Sequence, residues 1–176
     1  MTAFLNVIDA AARVVVFFAR LVIIASGIVL TVITTANVIA RYALSSGGLS
    51  SAQELPMLIF PWFILSGIVL AAHMGGHMAV EWVYDKLEGH SRLVAFGLAG
   101  SISTMSFLIL AYEAVLVAGI AGVEKSPVLG LPNSIGYYSL AAGALLVSLV
   151  TVAAMLRVFR FGWECRTELK PEEVAL

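Results

Sequence analysis

Between Lys125 and Arg157 the chain carries no acidic or basic residue, and three other long uncharged apolar runs precede that one. A bilayer core about 30 Å thick is crossed by roughly 20 apolar residues in a helix. Four stretches meet that requirement: Leu21 to Ala40, between Arg20 and Arg41; Leu55 to Ala72, between Glu54 and the His73–His77 segment; the run after Arg92 as far as Glu113; and Ser134 to Leu156. Composition agrees. Hydrophobic residues make up 61% of the chain and charged residues 12%, whereas a domain facing water on all sides carries about a quarter charged. The expected fold is an all-α integral membrane protein with four transmembrane helices. One transmembrane domain is expected over residues 1–162, with a short charged tail at 163–176.

Lys and Arg placement sets the orientation, because basic residues are held back on the cytoplasmic side and acids count little. With four spans, both termini and the middle loop share one side. That side holds Arg13, Arg20, Lys86, Arg92, Arg157, Arg160, Arg166 and Lys170, and the other holds only Arg41 and Lys125. Both termini are therefore expected in the cytoplasm. The first run is too long for the apolar part of a signal peptide and lacks a cleavage motif, so it reads as a retained span. Ahead of it, Asn6, Asp9, Arg13 and Arg20 fall within a narrow arc of a helical wheel. Residues 4–20 thus form either an in-plane amphipathic helix at the interface or an extension of the first span with Arg20 snorkelling.

The formal net charge of −1 supplies no basic field for nucleic acid. The single cysteine, Cys165, has no partner for an internal disulfide. His73 and His77 stand four apart and could share a helical face, but Gly75-Gly76 lies between them and no third ligand is near. Interfacial histidines are the favoured reading, and no metal, haem or other cofactor is expected. Glu113 closes the third run as a carboxylate at its outer edge, in reach of headgroups or a partner. If that helix continues through Ala114–Val123, the group is drawn deeper, where ionisable residues are costly and usually functional.

Arg41 ends the first span and Glu54 opens the second, with Ser45-Ser46-Gly47-Gly48 as a turn between them. They are expected to form an interhelical salt bridge; the alternative is two solvated interfacial charges. Gly97, Gly100, Ser101 and Thr104 on the third span, and Ala141-Ala142-Gly143-Ala144 on the fourth, are small residues suited to close helix packing. Pro61 is expected to kink the second span. The segment Ser126-Pro127-Val128-Leu129-Gly130-Leu131-Pro132 is a stiff turn with apolar residues at its centre. It suggests a protein contact, or else a loop dipped into lipid.

Four pieces occur in order along the chain: Asn37-Val38-Ile39-Ala40-Arg41-Tyr42; Ala52-Gln53-Glu54-Leu55 followed by Trp62; His77-Met78-Ala79-Val80-Glu81; and Ser126 to Pro132 with Tyr137. Their order and spacing resemble the small membrane subunit of TRAP transporters, the tripartite ATP-independent periplasmic systems. The resemblance covers about Asn37 to Gly143. Ser51 stands where the family usually has tryptophan, Gln53 replaces the first acid of a pair, Gly75-Gly76 replaces basic residues, and Ala141 stands where a proline is common.

The resemblance implies a non-catalytic subunit embedded in membrane lipid that braces a large permease subunit. That subunit carries the substrate and sodium path, and a periplasmic binding protein delivers an organic acid. It also marks Asn37, Tyr42, Trp62, His77, Glu81, Pro127, Gly130, Pro132 and Tyr137 as motif or partner-contact residues. With the chain ending at Leu176, the large subunit is expected to be a separate polypeptide. A self-sufficient oligomeric carrier is the alternative, although Leu21–Ala40 lacks the acid such small exporters use. A membrane enzyme would need a haem site or a nucleophile–base pair, and the sequence offers neither.

Overall fold

Backbone amides inside lipid find no water, so an apolar run must satisfy them within itself, and a helix does so locally. That requirement overrides the modest helix propensity of the Val, Ile and Thr residues that crowd these runs. The computed structural model describes residues 2–43, 48–73, 83–84 and 86–165, with the side chains of 2–7 and 9 excepted. His77, Glu81 and part of the Ser45–Gly48 turn lie outside the described residues. Among the described residues, four helices are long and apolar enough to cross a membrane: α1, Thr2–Ala43; α2, Ser51–His73; α3, Gly89–Ala121; and α4, Ser134–Phe161. No strand occurs among the described residues beyond one isolated bridge, Lys125 to Pro132.

Several hydroxyls inside the helices are consumed locally. Thr31 and Thr34 donate to the carbonyls of Gly27 and Leu30 at 2.8 and 2.7 Å. Ser148 and Thr151 donate to Ala144 and Val147 at 3.0 and 2.8 Å. Such back-bonding leaves these hydroxyls with no demand on a neighbouring helix.

Helix α4 is the centre of the arrangement. It packs against α1, α2 and α3, and α1 also packs on α2, while α4 is the one spanning helix among the described residues on which α3 packs substantially. Close approach depends on small residues. A side chain at Gly143 would come within 2.7 Å of Leu65 on α2, and one at Gly97 within 2.7 Å of Phe159. Ala19, Val69, Ala72, Val147 and Val150 form the buried cluster where α1, α2 and α4 meet. At the end of the molecule that holds Arg92 and Arg157, Tyr84, Phe96, Phe159 and Trp163 stack edge to face. Arg92 lies over the Trp163 ring at 5.1 Å and donates to the Leu87 carbonyl.

The structure selects between the two readings of residues 4–20 and moves the end of the third span. Helix α1 is continuous from Thr2, and Ala12, Val16 and Ala19 are buried, so residues 4–20 extend the first span. Helix α3 runs on to Ala121, which places Glu113 well inside a helix and not at its outer edge. No proline follows Glu113 until Pro127, so nothing in the chain stops the helix there. Helix α2 passes through Pro61 as one helix.

Candidate functional site

Polar side chains gather where the α1–α2 turn meets the connection between α3 and α4. Gly48 turns the chain at φ +103°, and any side chain there would press on Asn37 Oδ1 at 3.0 Å. That oxygen accepts the Leu49 N–H at 3.0 Å, tying the turn back to α1. Ala52 then donates to the Leu49 carbonyl at 3.1 Å, and α2 begins. Glu54 lies in the first turn of α2, where the helix dipole favours a negative charge.

The connection Glu124–Asn133 is a small closed knot. Ser126 donates to Leu131 at 2.8 Å, Gly130 to Ser126 at 2.9 Å and Asn133 to Glu124 at 3.0 Å, all through backbone groups. Gly130 has φ +65°, a left-handed conformation that costs other residues a steric penalty. Pro127 has no N–H to offer, and the next two amides, those of Val128 and Leu129, both donate to Glu54. Val128 donates to its two carboxylate oxygens at 2.9 and 3.1 Å, Leu129 donates to Oε2 at 2.8 Å, and the Ser126 hydroxyl donates to the same oxygen. Successive backbone amides around a carboxylate form an anion nest, and charge-assisted bonds of this kind are stronger than neutral ones.

The expected Arg41–Glu54 salt bridge is not what holds this site. Among the described residues Arg41 has no ion pair or hydrogen bond, and it faces Glu54 across an open cleft of about 470 Å³ that Asn37, Gln53 and Pro127 also line. Glu54 prefers the loop because three donors converge on it there. On its other side Glu54 borders a second crevice of about 540 Å³, which reaches Tyr137. Gln53 lines both spaces and takes no part in the latch.

The remaining motif residues are dispersed. Tyr42 stands 87% exposed at the end of α1. Trp62 lines a narrow apolar groove of about 220 Å³ between α1, α2 and α4, beside Phe18 and Leu65. Sequence reasoning missed Ser126 as a partner of Glu54 and Asn37 as the anchor of the turn. The only signal for either was membership in the same set of motifs.

Two motifs far apart in the chain are thus one structural unit. The DctQ component family of tripartite ATP-independent periplasmic transporters matches residues 30–161, a range that takes in the Asn37 turn, Glu54 and the whole Ser126–Pro132 knot. The chain belongs to that family. This DctQ-family chain is 59% identical over its full length to an uncharacterized protein, y4mM, of Sinorhizobium fredii, and spans only 32% of that protein. It is also 21% identical, over 70% of its length and 74% of the other's, to a Haemophilus influenzae protein named as a TRAP transporter small permease protein. No solved structure matches it significantly. Four apolar helices and DctQ membership make it a multi-pass membrane component of a TRAP transporter.

Proposed function

We propose that this DctQ-family chain is the small, non-catalytic membrane subunit of a TRAP transporter, and that it braces a large permease subunit in the inner membrane. In this reading the permease carries out sodium-coupled uptake of an organic acid, which a periplasmic binding protein delivers. The observation that carries it is the chemistry of the packed interior. Among the described residues, the buried polar side chains are Ser26, Ser66, Ser134, Ser139, Ser148 and Thr151, with no ionisable group among them. An ion-coupled carrier needs a built ion site inside the membrane. Here Ser26, Ser139, Ser148 and Thr151 spend their hydroxyls on carbonyls of their own helices, and the carboxylate of Glu113 on α3 is exposed, outside the packed interior. Close-packed small residues suit a brace better than a path.

The basic residues support an orientation. Arg13, Arg20, Arg92, Arg157 and Arg160 belong to one end of the helices, and the Glu54-latched knot belongs to the other. By the distribution of positive charge, the first end and both termini are cytoplasmic and the knot is periplasmic. Val128 and Leu131 on the knot are exposed at 50% and 38%. Apolar residues held out on a stiff loop suit a contact with one of the other components.

The test is co-purification from membranes in which the neighbouring reading frames are also expressed. The proposal expects a large hydrophobic permease body to come with the tagged chain, and organic-acid uptake to cease when this chain is removed. Uptake that persists without it would contradict the proposal.

A further inference from the structure

Helix α3 shows two unlike faces. One meets α4 through Gly97, Gly100, Ala111, Ala114 and Ala118. On the opposite face Ile102, Ser106, Ile109, Glu113, Leu116 and Ile120 succeed one another at alternating intervals of four and three, and all six are exposed. That spacing makes a straight seam along a helix, of the kind that packs lengthwise on a second helix.

The depth of Glu113 follows from the α3–α4 register. Gly97 lies against Phe159, Gly100 against Met155 and Gly122 against Ser134. By that register Glu113 is level with Gly143, whose own neighbour is Leu65 in the middle of α2. Arg157 falls level with a point two turns after Arg92, and the next charge beyond Glu113 is Glu124. At about 1.5 Å per residue, Glu113 stands about 21 Å from the first level and about 16 Å from the second. A core about 30 Å thick then places it near mid-depth, beyond the reach of a short side chain toward either surface. The carboxylate has no partner among the described residues, and a charge left against lipid at that depth is expensive.

Resting on the scaffold reading, we propose that this seam is the docking surface for a membrane-spanning helix of the large subunit, and that this helix presents a Lys or Arg to Glu113. A second copy of this chain is a poor occupant, because symmetric pairing along the seam sets Glu113 against Glu113. Lipid headgroups do not extend to mid-depth. A heterologous helix with a cation covers the apolar seam and neutralises its one charge, and a single polar residue in such a seam fixes register. In y4mM the homologous segment fills 32% of the polypeptide, so there it is joined to a much larger body.

The test places a photo-crosslinking amino acid at Ile109 or Leu116, and as a control at Ile28 on the exposed face of α1, in membranes containing the full complex with Glu113 intact. Crosslinks to the large subunit from Ile109 and Leu116 and not from Ile28 are expected. Glu113→Lys should lower recovery of the large subunit by roughly tenfold or more, and an acidic replacement of one Lys or Arg in the crosslinked segment should restore it. Crosslinking to the large subunit only from Ile28, or to a second copy from the seam, overturns the inference while the scaffold reading stands. A wild-type chain that recovers no large subunit overturns the scaffold reading itself.

Discussion

The carboxylate of Glu54 accepts the Leu129 N–H at 2.8 Å, joining the first turn of α2 to a loop 75 residues further along the chain. Through that bond and its neighbours, the entry to α2 and the entry to α4 are held as one piece. The loop needs an acceptor with two oxygens and a full charge at this point, and only a carboxylate of this reach supplies both.

Replacing Glu54 with Gln keeps the shape and removes the charge, and turns an acceptor oxygen into an NH₂ that faces other donors. Amide hydrogen exchange at Val128 and Leu129 is expected to quicken by roughly tenfold or more. Ser126→Ala should move the same amides in the same direction by less, since it removes one of several donors.

A charge reversal separates the latch from a simple ion pair. Arg41→Glu together with Glu54→Arg should be no better tolerated than Glu54→Arg alone, because an arginine cannot accept the Val128 and Leu129 amides. Recovery of uptake or of thermal stability in the double variant would show that Arg41 and Glu54 pair directly.

Gly130 holds the knot closed at φ +65°. Gly130→Ala should cost about 1 kcal/mol, and Gly130→Val more, with Gly130→Asn the mildest of the three. Thermal unfolding of the purified protein in detergent gives the ranking.

Packing between α2 and α4 is tight at Gly143, where an added methyl would come within 2.7 Å of Leu65. Gly143→Ala is expected to destabilise by about 1–3 kcal/mol. Adding Leu65→Ala should recover part of that loss, so the two changes should show a coupling well outside additivity in a double-mutant cycle.

The four helices could be read from the sequence because lipid imposes a length and a composition on any span. Ser134 was legible as the start of α4 since Pro132 and Asn133 interrupt the pattern just before it. The end of α3 was not. A charge at Glu113 looks like a boundary, yet helix continuation depends on backbone bonding and on the Ala111–Ala114–Ala118 face against α4, which charge counting ignores. The loop at Ser126–Pro132 announced itself through its prolines and glycine. Its partner did not, because Glu54 is bound mainly by backbone amides, and amides leave no mark in a sequence. Arg41 was the nearest opposite charge along the chain, and proximity in sequence favoured the wrong partner. Nothing local told an in-plane helix from an extended span at residues 4–20. Packing of Ala19 against Val69 and Val147 decided it.

The most direct measurement is of ion-coupled current across membranes reconstituted with this chain alone, under sodium and proton gradients and with a panel of organic acids. Current at the level of protein-free membranes is predicted under every condition, because the buried side chains of the described residues include no carboxylate, imidazole, amine or guanidinium group. A solute-dependent sodium or proton current that disappears in Glu113→Gln would contradict the account.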